Sequence, residues 1–142
     1  MENKLDISAL KKAARAFENA LAFAAKVEAK PEGEREFYEF ESASAAVIQH
    51  FEFSFELCWK TMKRFIEMDI GLEADILTRK DLFRLSAEKQ LIGDFHRWVE
   101  FQRARNRTSH VYDEEVANEV YGIAKEFADY MQKFVEVIGQ RI

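Results

Sequence analysis

Apolar residues recur at helical spacing along most of this chain. Between Leu5 and about Ala29 they alternate by four and three positions, as on one face of a helix, at Leu10, Ala14, Phe17, Leu21 and Ala24. The same repeat runs without a slip near the C-terminus, at Val116, Val120, Ile123, Phe127, Tyr130, Phe134 and Val137. No segment alternates with the two-residue period of a strand. The pattern therefore predicts an all-α fold.

The segment from Glu34 to about Ile70 contains neither proline nor glycine and predicts a second, long helix. Its main apolar stripe comprises Phe40, Val47, Ile48, Phe51, Phe55, Cys58, Met62, Phe65 and Ile66. Three further large apolar residues lie partly off this stripe, namely Phe53, Leu57 and Trp59. A helix that is apolar on more than one side predicts a partner surface in addition to a core face.

Helix-ending and helix-starting residues divide the chain further. The single proline, Pro31, separates the first two helices, and Gly71 is placed to end the second. Thr78, Asp94 and Asp113 are residue types that cap helix N-termini, so they predict the starts of three more helices. We therefore expect one domain over residues 1–142, an antiparallel up-and-down four-helix bundle with one short extra helix before the fourth.

Composition narrows the class of protein. The chain has 142 residues and a net charge of −5, which argues against nucleic-acid binding through overall charge. No apolar run approaches the roughly 18 residues of a membrane span. One cysteine, Cys58, excludes an intramolecular disulfide and fits a packed, inert thiol. We see no basic-then-apolar leader and expect a cytoplasmic protein without membrane association.

The predicted fourth helix reverses the local charge. Between Arg97 and Arg107 there are four arginines and one acid, which gives +3 in an acidic chain. Guanidinium groups match phosphate oxygens, so Arg103 and Arg107 are candidates for contacts to RNA phosphates. Projection at 100° per residue from Phe95, Trp98 and Val99 places a polar continuation on the inward face, formed by Gln102, Asn106, Ser109 and His110.

This polar set can support cleavage of an RNA phosphodiester. Histidine exchanges protons near neutral pH, arginine stabilises charge on a phosphorane, and an amide such as Asn106 orients either group. The chemistry requires neither a metal nor another cofactor. The periodicity alone favours a non-catalytic interpretation, with a solvated arginine face and a histidine that caps the helix end.

Two segments resemble a known family. Arg105-Asn106-x-x-x-His110 resembles the R-x4–6-H motif of HEPN domains, and His110-Val111-Tyr112 extends it to R-x4-H-x-Y. The longer form is similar to HEPN toxins that pair with a minimal nucleotidyltransferase antitoxin, also known as nucleotidyltransferase substrate-binding proteins. The stretch from Phe51 to Lys60 is similar to that family's F-x-x-x-x-E-L-x-W-K segment.

The resemblance implies a HEPN-like bundle, a site and a set of partners. His110 is implied as the catalytic acid or base, Arg105 as the group that stabilises the phosphorane, and Asn106 as the orienting group. Tyr112 is implied as the hydroxyl that the nucleotidyltransferase adenylylates. The implied partners are a second copy of the chain, whose motif faces the first across a two-fold axis, the nucleotidyltransferase encoded nearby, and RNA.

Three functions remain open on the sequence. The first is a metal-independent ribonuclease toxin whose activity is blocked by adenylylation. The second is a non-catalytic subunit that binds nucleotide or substrate for a two-component nucleotidyltransferase, which the acidic net charge favours. The third is a helical dimer with a purely structural role.

Overall fold

The computed structural model describes residues 5–34, 36, 38–71 and 74–142, and within them all regular structure is helical. The α-helices are α1 (Ser8–Ala29), α2 (Glu39–Ile70), α3 (Arg79–Glu88), α4 (Phe95–Arg107) and α5 (Glu114–Arg141). Short 3-10 turns occupy Glu32–Glu34, Ala74–Ile76 and Thr108–His110. The all-α, antiparallel up-and-down bundle with a short extra helix, here α3, is confirmed.

The predicted capping residues mark the helix starts. Asp94 Oδ1 accepts from the backbone N–H groups of His96 and Arg97, and Asp113 Oδ1 accepts from two amides in the first turn of α5. Thr78 Oγ1 accepts from Asp81 N at 3.1 Å. Gly71 ends α2 at φ +65°, a left-handed conformation that glycine adopts without the penalty of a Cβ.

The start of α2 differs from the prediction. The helix begins at Glu39 rather than Glu34, because a 3-10 turn over Glu32–Glu34 precedes it and Tyr38 adopts a left-handed conformation at φ 69°. The carboxylate of Glu39 accepts from the backbone N–H of Glu36, which fixes this entry to the helix. The absence of proline and glycine permits a helix here but does not set where it begins.

The phenylalanines form the centre of the bundle. Phe127 of α5 packs edge-on against Phe51 and Phe55 of α2, and against Trp98 and Phe101 of α4, at centroid distances between 5.0 and 5.8 Å. Seven phenylalanines are fully buried: Phe17, Phe51, Phe55, Phe83, Phe101, Phe127 and Phe134. Burying aromatic side chains of this size dominates the hydrophobic stabilisation of a small domain.

The inward face predicted for α4 is wrong in its second half. The buried residues are Trp98, Phe101 and Ala104, followed by Thr108 in the next turn. Asn106, Ser109 and His110 are exposed in the isolated chain. The buried positions are spaced by three and four, so the buried face is centred on Phe101, whereas the projection started from the side of Phe95 and Val99, which are only half-buried. The α-helix ends at Arg107 and continues as a 3-10 turn.

The described helices also bear on membrane association. None of the helices within residues 5–34, 38–71 and 74–142 is both long enough and apolar enough to cross a membrane.

Candidate functional site

Arg105 lies at the centre of the candidate site and is held by groups from α2 and from its own helix end. Its Nε donates to Glu56 Oε1 at 3.0 Å, and its Nη1 donates to Thr108 Oγ1 at 3.2 Å. Its Nη2 lies 3.7 Å from Glu52 Oε1. Charge-assisted bonds of this kind fix the plane of a guanidinium group. The remaining Nη protons are therefore presented from a defined position on a half-buried side chain.

Glu56 also fixes the neighbouring tryptophan. Its second oxygen, Oε2, accepts from Trp59 Nε1 at 3.0 Å. The guanidinium carbon of Arg79, the first residue of α3, lies 3.3 Å from the centroid of the Trp59 ring, which is a close cation–π contact. Trp59 therefore acts here as a platform for an arginine, whereas Trp98 is part of the core.

Arg79 extends this network to Asn106. Its Nη1 donates to Gln102 Oε1 at 2.9 Å, and Gln102 Nε2 donates to Asn106 Oδ1 at 3.0 Å. Burial lowers the pKa of Arg79, while the negative charge of Glu56 raises it and the positive charge of Arg105 lowers it. Residues from α2, α3 and α4 thus meet around the two motif residues on α4.

His110 and Tyr112 form a second pair, located between α4 and α5. The hydroxyl oxygen of Tyr112 lies 3.5 Å from His110 Nδ1, and the two ring centroids are 6.0 Å apart. The Tyr112 side chain is 84% exposed. In the described part of the chain, no hydrogen bond joins this pair to Arg105 or Asn106. Within one chain, the motif residues therefore form two separate groups, Arg105 with Asn106 and His110 with Tyr112.

An open groove lies beside Tyr112. Its volume is about 460 Å³, and it runs between the N-terminal half of α2 and the start of α5. The apolar walls come from Ile48, Val111 and Ala117. The polar lining comes from the neutral side chains of Ser44 and Asn118 and the carboxylates of Glu41 and Glu114. The groove gives free volume next to the phenol ring.

The local charge predicted for α4 is largely balanced by acids from other positions. Arg97 pairs with Glu100 and Glu126, and its hydrogen bond to Glu126 raises the pKa of Arg97 further above its ordinary value. Arg107 pairs with Glu119 of α5. Arg103 is exposed and has no hydrogen bond or ion pair among the described residues. Of the two arginines predicted to contact phosphate, only Arg103 is therefore free in the isolated chain.

The supporting residues around Arg105 had only weak signals in the sequence. Glu56 and Trp59 are three positions apart in the segment from Phe51 to Lys60, so they share a helix face, but their spacing does not identify their partner. Arg79 bonds a glutamine 23 positions away, and no local pattern predicts that pairing. Only the cap at Thr78 places Arg79 at a helix start.

The fold is similar to that of two solved structures. A protein from Haemophilus influenzae, HI0074, described as having the fold of a substrate binding domain of a nucleotidyltransferase, superposes with a TM-score of 0.82 at 30% identity. The match covers 94% of this chain and 98% of that one. A protein from Thermus thermophilus, ttk003001694, superposes with a TM-score of 0.64 at 25% identity, covering 86% of this chain and 98% of that one.

Sequence comparisons agree with the structural ones. A Haemophilus influenzae protein named "Probable ribonuclease HepT" is 39% identical over 99 residues, which are 68% of this chain and 68% of that protein. The model of the family described as "Nucleotidyltransferase substrate binding protein like" matches residues 5–140. The segments from Phe51 to Lys60 and from Arg105 to Tyr112 both lie within this match. The chain therefore belongs to the nucleotidyltransferase substrate-binding-protein-like family.

Proposed function

We propose that this chain is a metal-independent RNA endonuclease, the toxin of a pair whose antitoxin is a minimal nucleotidyltransferase. One observation carries the proposal: the Tyr112 hydroxyl lies 3.5 Å from the imidazole of His110. A nucleotide attached to that oxygen lies against the group that would transfer the proton. The motif residues Arg105, Asn106, His110 and Tyr112 therefore account both for the proposed activity and for its control. The name of the relative from Haemophilus influenzae is consistent with this function.

The proposed reaction is attack of an RNA 2′-hydroxyl on the adjacent phosphorus, with release of the 5′-oxygen. A neutral imidazole takes the 2′ proton, and an imidazolium gives a proton to the leaving oxygen. The guanidinium of Arg105 donates hydrogen bonds to the non-bridging phosphate oxygens as charge develops on them. One chain supplies one imidazole at this position. Two copies in a homodimer would supply both, in a composite active site between the protomers.

Adenylylation of Tyr112 would block this site in two ways. The added AMP brings a negative charge, which repels the RNA phosphates, and it occupies volume beside His110. Tyr112 is almost fully exposed, so a modifying enzyme can reach it. The groove beside the ring has room for part of the added nucleotide.

Growth assays test the activity. Expression of the chain in a bacterium should arrest growth, and His110→Ala and Arg105→Ala should abolish the arrest. His96→Ala is a matched control, because His96 is also exposed and lies on α4, the helix that carries Arg105. Arrest by the His110→Ala variant at equal protein level would refute the proposal.

A test with purified protein separates this chemistry from other nucleases. The protein should cleave single-stranded RNA in the presence of a metal chelator and leave a 2′,3′-cyclic phosphate. An RNA with a 2′-deoxy sugar at the cleaved position should resist. With the nucleotidyltransferase and ATP, Tyr112 should gain the mass of AMP and cleavage should stop, whereas Tyr112→Phe should remain active. Cleavage of the deoxy substrate would contradict the mechanism.

A second candidate function is a non-catalytic subunit that binds nucleotide or substrate for the nucleotidyltransferase. The charge balance of α4 favours it, since Arg97 and Arg107 are both paired with carboxylates of α5. In that case the purified chain leaves RNA intact but raises the affinity of the nucleotidyltransferase for its nucleotide, which calorimetry measures. Cleavage of RNA by the chain alone rules this candidate out as a complete account.

A further inference from the structure

The hydrogen bonds from Arg79 to Asn106 form a chain with a fixed direction. A guanidinium group has donors only, so the oxygen of the Gln102 side chain must face Arg79. The amide nitrogen of Gln102 then faces Asn106, and it donates to Asn106 Oδ1. The oxygen of Asn106 is thereby engaged, and its NH₂ group is left on the side away from Gln102. A single arginine decides which end of the Asn106 amide is available.

Arg79 is itself held firmly enough to play this part. It is half-buried, and its guanidinium carbon lies over the Trp59 ring at 3.3 Å from the centroid. The Trp59 ring is fixed by its bond to Glu56, the residue that also holds Arg105. Because burial lowers the pKa of an arginine only from a value far above neutrality, the guanidinium remains a donor at physiological pH.

We infer that Arg79 is a positioning residue that, through Gln102, fixes Asn106 as a hydrogen-bond donor toward the substrate. The inference rests on the proposed function, since a phosphate oxygen accepts hydrogen bonds and cannot donate them. An Asn106 amide in the opposite orientation would present a carbonyl oxygen to a phosphate oxygen. The network therefore selects the productive one of two amide orientations before RNA binds.

Gln102→Glu tests this polarity directly. The new carboxylate still accepts from Arg79, but it offers only acceptors to Asn106. The Asn106 amide must then turn its NH₂ toward position 102 and its oxygen toward the substrate. We expect kcat for RNA cleavage to fall roughly tenfold or more, as for loss of one donor in an oxyanion site. Asn106→Asp should produce a similar loss, and combining the two changes should add little.

Three controls separate the effect of amide polarity from the effect of added charge. Gln132→Glu adds the same charge at an exposed position of α5, outside the candidate site, and should leave kcat unchanged. The loss caused by Gln102→Glu should persist at high salt, because screening weakens long-range charge effects but not the orientation of an amide. Recovery of activity in high salt would overturn the inference. Gln102→Met breaks the chain without adding charge and should give an intermediate kcat.

An NMR measurement decides the amide orientation independently of cleavage. The side-chain NH₂ signals of Asn106, identified by their loss in Asn106→Asp, should exchange rapidly with water in the wild type. They should exchange more slowly in Gln102→Glu, where the NH₂ turns to the carboxylate. Equal exchange in both proteins would overturn the inference. If the wild type cleaves no RNA, the proposed function fails, and this measurement still tests whether Gln102 orients the Asn106 amide. Thermal unfolding of each variant confirms that it is folded.

Discussion

At the scale of single residues, the two carboxylates next to Arg105 have different relations to it. Glu56 accepts from Nε at 3.0 Å and also from Trp59, so it ties the guanidinium to a fixed ring. Glu52 lies one turn earlier on α2 and approaches only Nη2, at 3.7 Å. The first contact orients Arg105, whereas under the proposed function the second would compete with an RNA phosphate for the outer nitrogen.

The matched variants Glu56→Gln and Glu52→Gln distinguish these roles, because each removes one negative charge beside the same arginine. Glu56→Gln should lower kcat several-fold, since an amide cannot accept from both Arg105 and Trp59 with full strength. Glu52→Gln should instead tighten RNA binding, because it frees Nη2. Single-turnover kinetics with RNA titration measures both quantities. Equal effects of the two variants on kcat and on affinity would mean that the carboxylates act only through their charge.

Cys58 gives a prediction about reactivity. It is completely buried in α2, and burial raises the pKa of its thiol, so the nucleophilic thiolate is suppressed. Labelling by a thiol reagent at about pH 8, near the ordinary thiol pKa, should therefore be slow in native buffer. Its rate should rise along the same denaturant curve as unfolding followed by circular dichroism. Rapid stoichiometric labelling of the folded protein would contradict the prediction.

The contacts of the motif residues show where the sequence stops being informative. The motif residues were found from the resemblance, and Glu56 and Trp59 lie in the second matching segment. Their contacts with Arg105 and Arg79 join positions far apart in the chain, and only packing of α2, α3 and α4 brings them together. The charge balance of α4 also depends on distant positions, because carboxylates of α5 pair with Arg97 and Arg107.

At the scale of elements, the caps were predictable because each depends on residues two or three positions apart. Thr78, Asp94 and Asp113 all accept from amides in the first turn of the following helix. The inward face of α4 was predicted wrongly because the projection started from Phe95 and Val99, which lie to one side of the buried row of Trp98, Phe101 and Ala104. A 3-10 turn then leads from Arg107 toward α5, and the exposed His110 lies at the end of that turn.

Asp94 and Asp113 offer a matched test of what the connection between α4 and α5 requires. Each caps a helix through one carboxylate oxygen, so replacing either by alanine should lower the free energy of unfolding by about 1 kcal/mol. Only Asp113 directly follows the segment from His110 to Tyr112. Asp113→Ala should therefore also lower kcat, whereas Asp94→Ala should not. Chemical denaturation and RNA cleavage assays check the two parts. Equal kcat in both variants would mean that the Asp113 cap does not position the residues of the candidate site.

At the scale of the whole molecule, the phenylalanine excess divides into core and surface. Most of these side chains fill the centre of the bundle, but Phe53 of α2 is 58% exposed and Phe23 of α1 is 53% exposed. Phe53 follows Glu52 directly and lies one turn before Glu56, so it borders the candidate site. Phe23 lies on the first helix. Under the proposed function, which uses two imidazoles, an exposed aromatic ring at the edge of the site would be placed to contact a second copy.

The net charge of −5 is compatible with such an arrangement, because a site between two protomers depends on local groups. Each chain brings one Arg103 without an ion pair among the described residues, while Arg97, Arg105 and Arg107 are all paired with carboxylates within the chain. Overall charge thus describes only the average surface, and dimerisation would bring a second Arg105 and a second His110 to the proposed site.

Phe53→Ser should convert the proposed homodimer to a monomer and abolish cleavage of RNA, because each protomer then lacks the second imidazole. Phe23→Ser is the matched control, as it removes a ring of nearly equal exposure from a different helix and should leave both assembly and activity intact. Light scattering during gel filtration measures the mass, and thermal unfolding confirms folding. A monomeric Phe53→Ser variant that still cleaves RNA would place the whole reaction within one chain. A variant that remains dimeric would place the interface away from Phe53.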